Sequence, residues 1–311
     1  MKNLRIHRAP LGVSLQDGGR KGYLRYGVST AGPMDWARHA MVNHMLAKNP
    51  QAPAIEVGPA GMALSVETGE IQLSFAGPGF TLQIDNENIS GPVRFMLKAG
   101  QTLELIPRAG AMWAYLGVQG DFDLPPLLGS YAENSVSGLY VSKLSTGSCL
   151  AVFAKTLQMP AVQMYVDPYI ALEGQSIGMM PSSQFESFLP EVRESLVSKP
   201  VAIAPRFDRM AYQLSGVRLK CDKGHDILSD GVTMGAVQIP GDGRPFILMA
   251  DHQPTGGYPK IACICKADLP RIAQMAPGKL FTLQWITFEQ GLERWISMKR
   301  QIETVTALRG I

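Results

Sequence analysis

A run of short strand-like segments between residues 63 and 120 constrains the fold of this chain more than any other feature. In one segment Ile71, Leu73 and Phe75 alternate with polar residues, which is the period of a strand with one buried face. The breaks between segments are Thr68-Gly69, Gly77-Pro78-Gly79, Asp85-Asn86, Ala99-Gly100 and Ala109-Gly110. Strands that recur about every ten residues with such turns are typical of a closed barrel or a sandwich. The periodicity leaves both architectures open.

The second half of the chain returns to the same pattern after Pro200. Its strand-like segments are VAIA, AYQLSG, GAVQIP, PFILMA, KIACIC and KLFTLQWI. With 311 residues, the chain exceeds the usual size of a single hydrophobic core. We therefore predict a mainly β protein with a first β domain at residues 1–158, an irregular connecting segment at 159–199, and a second β domain with a C-terminal helix at 200–311.

A weak internal repeat supports two related domains. The segment QDGGRKGY at 16–23 is similar to FDRMAY at 207–212, and GVSTAGPMD at 27–35 is similar to GVTMGAVQ at 231–238. The two pieces occur in the same order in both halves. Duplication of one β domain would explain the order, and chance similarity is the alternative.

Two helices are predicted from their end signals. The first begins after Asp35, which can cap it, and ends at Asn49-Pro50. The second begins at Thr287, with Gln290 three residues on as a capping box. Its apolar side chains at helical spacing, which we expect to pack on the second domain, are Phe288, Leu292, Trp295 and Ile296.

The composition excludes several classes of protein. Hydrophobic residues make up 46% and charged residues 18% of the chain, which is a globular composition. The net charge of +3 comes without a Lys/Arg block, so we expect no nucleic acid or membrane partner. No segment has about 18 consecutive apolar residues, and the first residues lack a secretory signal, so we expect a cytoplasmic protein.

The four cysteines indicate no metal site. Only Cys263 and Cys265 are close in sequence, and in a strand this spacing places both side chains on one face. Two thiols without neighbouring Cys or His residues form a weak metal site. We expect buried, reduced cysteines.

The segment ADHQPTGGYPKI at 250–261 is the strongest candidate for a binding loop. It brings together acid, base, amide, hydroxyl and ammonium groups on Asp251, His252, Gln253, Thr255, Tyr258 and Lys260. Gly256 and Gly257 allow the backbone to turn tightly or to approach a ligand. A solvated hairpin turn is the alternative interpretation.

A second polar, glycine-rich segment lies near the N-terminus. Gln16, Asp17 and Arg20 surround two glycines, and Arg20 could bind a carboxylate through both arms of its guanidinium. Asp208 and Arg209 repeat the acid–arginine pair in the second half, which raises the alternative that both pairs fix a turn.

Asp35 has two possible roles. It follows Gly32-Pro33-Met34 directly and could orient a substrate amine or act as a base. As the residue before a predicted helix it also suits an N-cap, and we favour the cap.

The longest motifs resemble one known family. QDGGRKGYLRYGVSTAGPMD, FDRMAYQLSG and GVTMGAVQIPGDGRPFILMADHQPTGGYPKI are similar to the allophanate hydrolase subunit 2 family, also labelled biotin-dependent carboxyltransferase. The resemblance spans nearly the whole chain. It implies two cyclophilin-like β-barrel domains related by a pseudo-repeat, with a few short helices.

The resemblance also implies a function in a complex. The family includes the C subunit of bacterial ATP-dependent 5-oxoprolinase, which with the A and B subunits hydrolyses 5-oxoproline to glutamate. The B subunit of that enzyme is similar to allophanate hydrolase subunit 1. The chain contains no Gly-x-x-x-x-Gly-Lys-Ser/Thr phosphate loop, so we expect ATP to bind a partner and no cofactor to bind this chain stably.

Two other functions stay open within the family. One is a non-catalytic binding module that antagonises a kinase inhibitor. The other is the carboxyltransferase component of a urea carboxylase or allophanate hydrolase-type system, in which biotin would arrive on another protein. Pro254, where Thr is common, and Ala211, where Gly is usual, depart from the family pattern and allow a different substrate.

Overall fold

A computed structural model describes residues 1–155, 162–172 and 174–305. Among these residues the chain forms two compact units, and neither is a single continuous segment. Unit 1 comprises Met1–Arg20, Asp35–Pro168 and Gln301–Ile311, and unit 2 comprises Lys21–Met34 and Tyr169–Arg300. The predicted boundaries at 158 and 199 therefore differ from the observed grouping.

Unit 1 consists of two antiparallel sheets. Its strands are β1 (Lys2–Arg8), β2 (Val13–Gln16), β3 (Ala54–Val57), β4 (Met62–Val66), β5 (Glu70–Ala76), β6 (Phe80–Ile84), β7 (Glu87–Ile89), β8 (Val93–Lys98), β9 (Thr102–Pro107), β10 (Ala114–Val118), β11 (Asp121–Phe122), β12 (Cys149–Phe153) and β13 (Gln163–Met164). One sheet has the order β11-β12-β1-β4-β9-β6-β7, and the other has the order β13-β8-β5-β10-β3-β2. A single core draws buried side chains from both sheets.

The strands of unit 1 agree with the predicted pattern, except that β5 is buried on both faces and not on one. Ile71, Leu73 and Phe75 of β5 are buried in the core, as the alternation indicates. Ser74, on the opposite face, is also buried, and its hydroxyl donates to the Val42 carbonyl oxygen at 2.6 Å. A helix covers this face, so β5 is buried on both sides.

Unit 2 is built around a strongly curved sheet. Its strands are β14 (Ile177–Pro181), β15 (Val201–Phe207), β16 (Ala211–Ser215), β17 (Asp230–Gly231), β18 (Ala236–Gln238), β19 (Phe246–Leu248), β20 (Thr255–Gly256), β21 (Lys260–Ile264), β22 (Leu280–Phe281) and β23 (Leu283–Trp285). The eight-stranded sheet has the order β22-β15-β16-β19-β18-β21-β14-β23. Its two edge strands are separated in sequence by Thr282 alone, so the sheet curves round until its edges nearly meet. The mainly β, barrel-like fold is confirmed.

The segment predicted as an irregular connector contributes to this sheet. β14 pairs antiparallel with β21 and parallel with β23. Ile177 and Met179 are fully buried. The sequence conceals this strand because its five residues, IGMMP, lack the alternation of apolar and polar residues and include only one β-branched side chain.

Four α-helices lie within the described ranges: α1 (Trp36–Met45), α2 (Pro190–Ser195), α3 (Leu269–Ala273) and α4 (Phe288–Glu303). Short 3₁₀ helices occupy Leu24–Tyr26, Pro168–Leu172 and Phe185–Ser187. In the part of the chain that the structure describes, no helix has the length and apolar character needed to cross a bilayer.

The two predicted helices are confirmed, but the packing predicted for the second is wrong. The capping box forms: the Thr287 amide donates to Gln290 Oε1 at 2.9 Å, and the Gln290 amide donates to Thr287 Oγ1 at 3.2 Å. Phe288 and Leu292 of the predicted apolar stripe are 69% and 44% exposed, whereas Met298 is buried. The helix buries a face that is rotated from the one with the largest apolar side chains.

Candidate functional site

A buried ion pair joins two of the sequence motifs within unit 2. The Arg209 guanidinium donates to both carboxylate oxygens of Asp251, at 2.8 and 3.1 Å, and the Asp251 side chain is fully buried. The same guanidinium donates to the carbonyl oxygen of Gly32 at 2.7 Å. The Asp251 amide also donates to the Arg209 carbonyl oxygen. The motifs at 27–35 and 207–212 therefore meet at the start of the 251–260 loop.

A second ion pair holds the other end of this loop. Lys260 is buried, and its Nζ donates to Asp230 Oδ2 at 2.5 Å and to the Gly231 carbonyl oxygen at 3.0 Å. This hydrogen bond lowers the pKa of the Asp230 carboxyl below its usual range. Asp230 and Gly231 form β17, which pairs with β20 of the loop itself. The 251–260 loop is thus fixed by one charged contact at each end.

His252 lies between these two anchors and is 7% exposed. Its Nδ1 is 2.7 Å from the Gln253 carbonyl oxygen, and a carbonyl only accepts, so Nδ1 carries the proton. Burial lowers the pKa of His252 below its usual range, because the charged imidazolium loses its hydration. The ring is therefore neutral near pH 7, and Nε2 carries a lone pair that can accept a proton.

The remaining loop residues lie closer to solvent. Thr255 is exposed, and Tyr258 is 43% exposed. Gly257 accepts a hydrogen bond from the Ile227 amide at 2.8 Å. A Cβ at Gly256 would lie 2.5 Å from Nε2 of the buried Gln238, so the close approach of a side chain accounts for glycine here.

The predicted repeat has a structural counterpart in two turns. Asp17 Oδ1 accepts from the amide of Gly19, and Asp208 Oδ1 accepts from the amide of Met210, in both cases two residues on. Asp17 also accepts from the Ser130 hydroxyl at 2.6 Å. Both aspartates therefore fix a turn through backbone amides, and the pairing of Asp17 with Arg20 and of Asp208 with Arg209 stays a prediction.

Gln16 and Arg20 lie inside unit 1. Arg20 is 1% exposed, and its guanidinium donates to the carbonyl oxygens of Leu127 and Ala132 at 3.0 and 2.9 Å. The Gln16 amide donates to the Glu133 carbonyl oxygen at 3.0 Å. These side chains anchor the 127–133 segment, and the predicted carboxylate-binding role of Arg20 stays a prediction.

Asp35 caps α1, as the sequence favours. Its Oδ1 accepts from the Arg38 amide at 3.1 Å, and its Oδ2 accepts from the Arg38 guanidinium at 2.6 Å. Arg38 also binds Asp167 at 2.8 Å. The Asp35 amide donates to the Tyr115 hydroxyl oxygen, and that hydroxyl donates to Glu56 at 2.7 Å. Asp35 thus belongs to a buried charged network within unit 1.

The sequence candidates fall into two sets. Gln16, Asp17, Arg20 and Asp35 belong to unit 1, and the residues from Asp208 to Lys260 belong to unit 2. Sequence reasoning missed Asp230 and Gly231, which bind Lys260, and Gln238, whose side chain lies against Gly256. An Asp-Gly pair in a polar segment is typical of an ordinary turn. The sequence therefore has no signal that distinguishes Asp230 from other turn residues.

The cysteines contribute no thiolate pair. Burial raises the pKa of both the Cys263 and the Cys265 thiols, which favours their protonated forms. Cys221 is buried and Cys149 is exposed, so the expectation of burial fails for Cys149. Among the described residues no group of three or more His, Cys, Asp or Glu side chains is placed to hold a metal ion.

Comparison with known families identifies the class of domain to which this barrel-like β fold belongs. The family model for the carboxyltransferase domain, subdomain A and B, matches residues 26–285. The chain therefore belongs to this family.

Individual relatives include both complete proteins and parts of larger ones. The C subunit of 5-oxoprolinase from Escherichia coli strain K12 is 30% identical over 303 residues, which cover 96% of this chain and 96% of that protein. The urea amidolyase of Saccharomyces cerevisiae is 26% identical over 302 residues, which cover 89% of this chain and 16% of that protein. The solved Kluyveromyces lactis urea carboxylase has a TM-score of 0.81 at 21% identity, and the match covers 96% of this chain and 29% of that one. This structural likeness shows the fold alone.

Proposed function

We propose that this chain is the C subunit of an ATP-dependent 5-oxoprolinase, a cytoplasmic hydrolase that opens the lactam of 5-oxoproline to give glutamate. The observation that carries the proposal is the correspondence with the Escherichia coli C subunit along 96% of both chains. The match to urea amidolyase covers 16% of that much longer protein. Correspondence with almost the entire bacterial protein favours a role beside the A and B subunits of such an enzyme.

His252 is the residue that we propose to act on the reacting molecule. Opening a lactam requires a group that accepts a proton from the attacking water or transfers one to the leaving nitrogen. A neutral imidazole with its Nδ1 proton held by the Gln253 carbonyl oxygen presents Nε2 for this role. The fixed tautomer aligns the acceptor before the substrate binds.

The two ion pairs at the ends of the loop act as positioning contacts in this proposal. Arg209 and Asp251 fix the backbone immediately before His252, and Lys260 with Asp230 fixes the far end. Thr255 and Tyr258 lie between the anchors with exposed side chains, where they can contact a ligand. A loop held at both ends keeps its catalytic group within reach at small entropic cost.

ATP enters this proposal through a partner. A cyclic amide resists attack until its oxygen is polarised or phosphorylated, and ATP supplies that activation. The sequence lacks the phosphate-loop motif, so we assign ATP binding to the A or the B subunit. The contribution proposed for this chain is proton transfer and orientation of the reacting molecule.

A carboxyltransferase role is the second candidate, and the family to which the chain belongs favours it. Carboxyl transfer from carboxybiotin also needs a base that removes a proton from the molecule that receives the carboxyl group. His252 could act as this base. Biotin would have to arrive on another protein. This candidate predicts consumption of bicarbonate, whereas lactam hydrolysis does not.

The deciding experiment measures 5-oxoproline-dependent ATP hydrolysis and glutamate release by this chain purified with its A and B partners. Omission of each component in turn should abolish both activities. His252→Gln should lower the rate by about 10²-fold or more while the complex still assembles. The matched control, His7→Gln on an exposed strand position, should leave the rate unchanged.

The outcomes separate the three functions. Activity that persists without this chain contradicts the proposal. A stable complex that shows no turnover with 5-oxoproline points to the binding module that antagonises a kinase inhibitor. Bicarbonate-dependent turnover with a biotinylated carrier points to the carboxyltransferase.

A further inference from the structure

Unit 2 also has an open cleft, and none of its lining residues belongs to the 251–260 loop. It has a volume of about 360 Å³, in the lower range of ligand pockets. Its lining includes side chains from β15, β16 and the segments that follow β16 and precede β19: Ala204, Gln213, Ser215, Val217, Arg218 and Arg244. Two of these six carry a positive charge.

The charge at this cleft favours an anion. Arg218 is exposed, and among the described residues its guanidinium has neither an ion-pair nor a hydrogen-bond partner. Arg244 binds Asp242 at 2.9 Å through Nε, with about half of each side chain exposed. Two guanidinium groups against one carboxylate leave a net positive charge at the rim. The planar fork of Arg matches a carboxylate through two parallel hydrogen bonds.

A side-chain amide also lines the cleft. Gln213 is 6% exposed, and its neighbours on β16, Tyr212 and Leu214, are buried in the core. Within the described part of the chain the Gln213 side-chain amide has no hydrogen-bond partner, although it lines the cleft. The Gln213 amide is therefore available to a ligand that both donates and accepts hydrogen bonds.

We propose that this cleft binds a small carboxylate that also carries an amide or lactam. Arg218, supported by Arg244, takes the carboxylate, and Gln213 pairs with the amide. The ligand N–H donates to the Gln213 side-chain oxygen, and the ligand carbonyl accepts from its NH₂ group. 5-Oxoproline has both groups on one small ring, and its choice as the probe rests on the proposed function.

The test uses the full-length chain without its partners, and binding is measured by isothermal titration calorimetry. The probes are 5-oxoproline, 2-pyrrolidinone, which lacks the carboxylate, cyclopentanecarboxylate, which lacks the amide, and inorganic phosphate. We expect 5-oxoproline to bind at least about tenfold more tightly than each of the other three, because 2-pyrrolidinone lacks the charged hydrogen bonds to Arg218, and cyclopentanecarboxylate and phosphate lack the paired amide hydrogen bonds to Gln213. Binding by the isolated chain does not depend on turnover, so this result is separate from the outcome of the oxoprolinase assay.

Substitutions assign the binding to the cleft. Arg218→Gln should weaken 5-oxoproline binding about tenfold or more. Gln213→Leu should reduce the affinity for 5-oxoproline to the affinity of the wild-type chain for cyclopentanecarboxylate. The matched control is Arg206→Gln, an exposed arginine on β15 outside the lining. Because Arg218 is exposed, its substitution should leave the melting temperature unchanged, so lost binding cannot come from unfolding.

Three results would overturn the proposal. They are the absence of measurable 5-oxoproline binding to the wild-type chain, unchanged binding by the Arg218→Gln variant, and phosphate binding as tight as that of 5-oxoproline. The last result would define a general anion site without selection for an amide.

Discussion

The Arg209 guanidinium binds both carboxylate oxygens of Asp251, and the two side chains are 11% and 0% exposed. Removing one member of a buried pair leaves the other charge without compensation. We expect Arg209→Ala to lower the free energy of unfolding by roughly 3–5 kcal/mol. Arg209→Lys should cost less, because it keeps the charge but loses the two-point geometry.

Urea denaturation followed by tryptophan fluorescence measures this effect. Arg206→Ala is the control, since Arg206 is an exposed arginine three residues earlier on β15. Equal losses in the Arg209 and Arg206 variants would mean that the pair contributes nothing specific to the stability of unit 2.

His39 should make unit 1 less stable in mild acid. Its Nε2 lies 2.9 Å from the Gln16 carbonyl oxygen, and burial lowers its pKa from 6.5 to about 4. Between these two pKa values the unfolded chain binds a proton that the folded chain excludes. Stability is therefore full above pH 6.5 and falls as the pH decreases toward 4, by up to about 3 kcal/mol.

The measurement compares unfolding free energies at about pH 7 and about pH 5 for the wild type and for His39→Gln. Gln keeps a hydrogen-bond donor for the Gln16 carbonyl but does not titrate. The variant should lose less stability than the wild type over this interval. Parallel pH profiles would show that His39 is protonated in the folded protein as readily as in the unfolded one.

The sequence predicts most strands and both long helices, because each carries a local signal. Alternation identified β5 and β6, and the capping pair of Thr287 and Gln290 identified the start of α4. β14 lacked such a signal and was missed. The exposed face of α4 also escaped prediction, because helical spacing identifies an apolar stripe but not the surface against which the helix packs.

The candidate site was predicted in its residues but not in its contacts. Asp251, His252 and Lys260 were apparent from the density of polar groups after an apolar strand. Their partners Arg209 and Asp230 lie 42 and 30 residues away in sequence. Long-range pairing is set by sheet order, here by the neighbouring positions of β16, β19, β18 and β21, which a single sequence does not encode locally.

Gly256 should resist substitution because of Gln238. An alanine Cβ would lie 2.5 Å from Gln238 Nε2, and Gln238 is 3% exposed. We expect Gly256→Ala to lower the free energy of unfolding by roughly 1–3 kcal/mol through overpacking. Gly257→Ala should cost less, since its Cβ would meet the Ile227 carbonyl oxygen at 3.4 Å.

A double-mutant cycle tests this cause. Gln238→Ala removes the side chain that the added Cβ would meet, so the Gly256→Ala substitution should cost less in that background. Chemical denaturation of the wild type, the two single variants and the double variant gives the coupling energy. Additive losses would assign the cost at position 256 to the backbone and not to the Gln238 contact.

Lys260 should control the opening of the two-stranded sheet formed by β17 and β20. Its Nζ binds Asp230 and the Gly231 carbonyl oxygen, and the adjacent Val232 amide donates to the Pro254 carbonyl oxygen at 3.1 Å. In Lys260→Met both Nζ contacts are lost, so we expect hydrogen exchange at the Val232 amide to become about tenfold faster at about pH 7.

A matched control and a pH series identify the Lys260–Asp230 pair as the cause. Lys279→Met, at an exposed lysine, should leave exchange at Val232 unchanged. The pKa of Asp230 is lowered by its hydrogen bond with Lys260, so the pair stabilises the β17–β20 sheet above the ordinary Asp pKa of 3.8, and this stabilisation is lost as the pH falls through the lower folded value. After correction for intrinsic exchange, the difference between wild type and Lys260→Met should therefore persist at about pH 5. A difference that disappears by about pH 5 would mean that a group other than Asp230 holds β17 and β20 together.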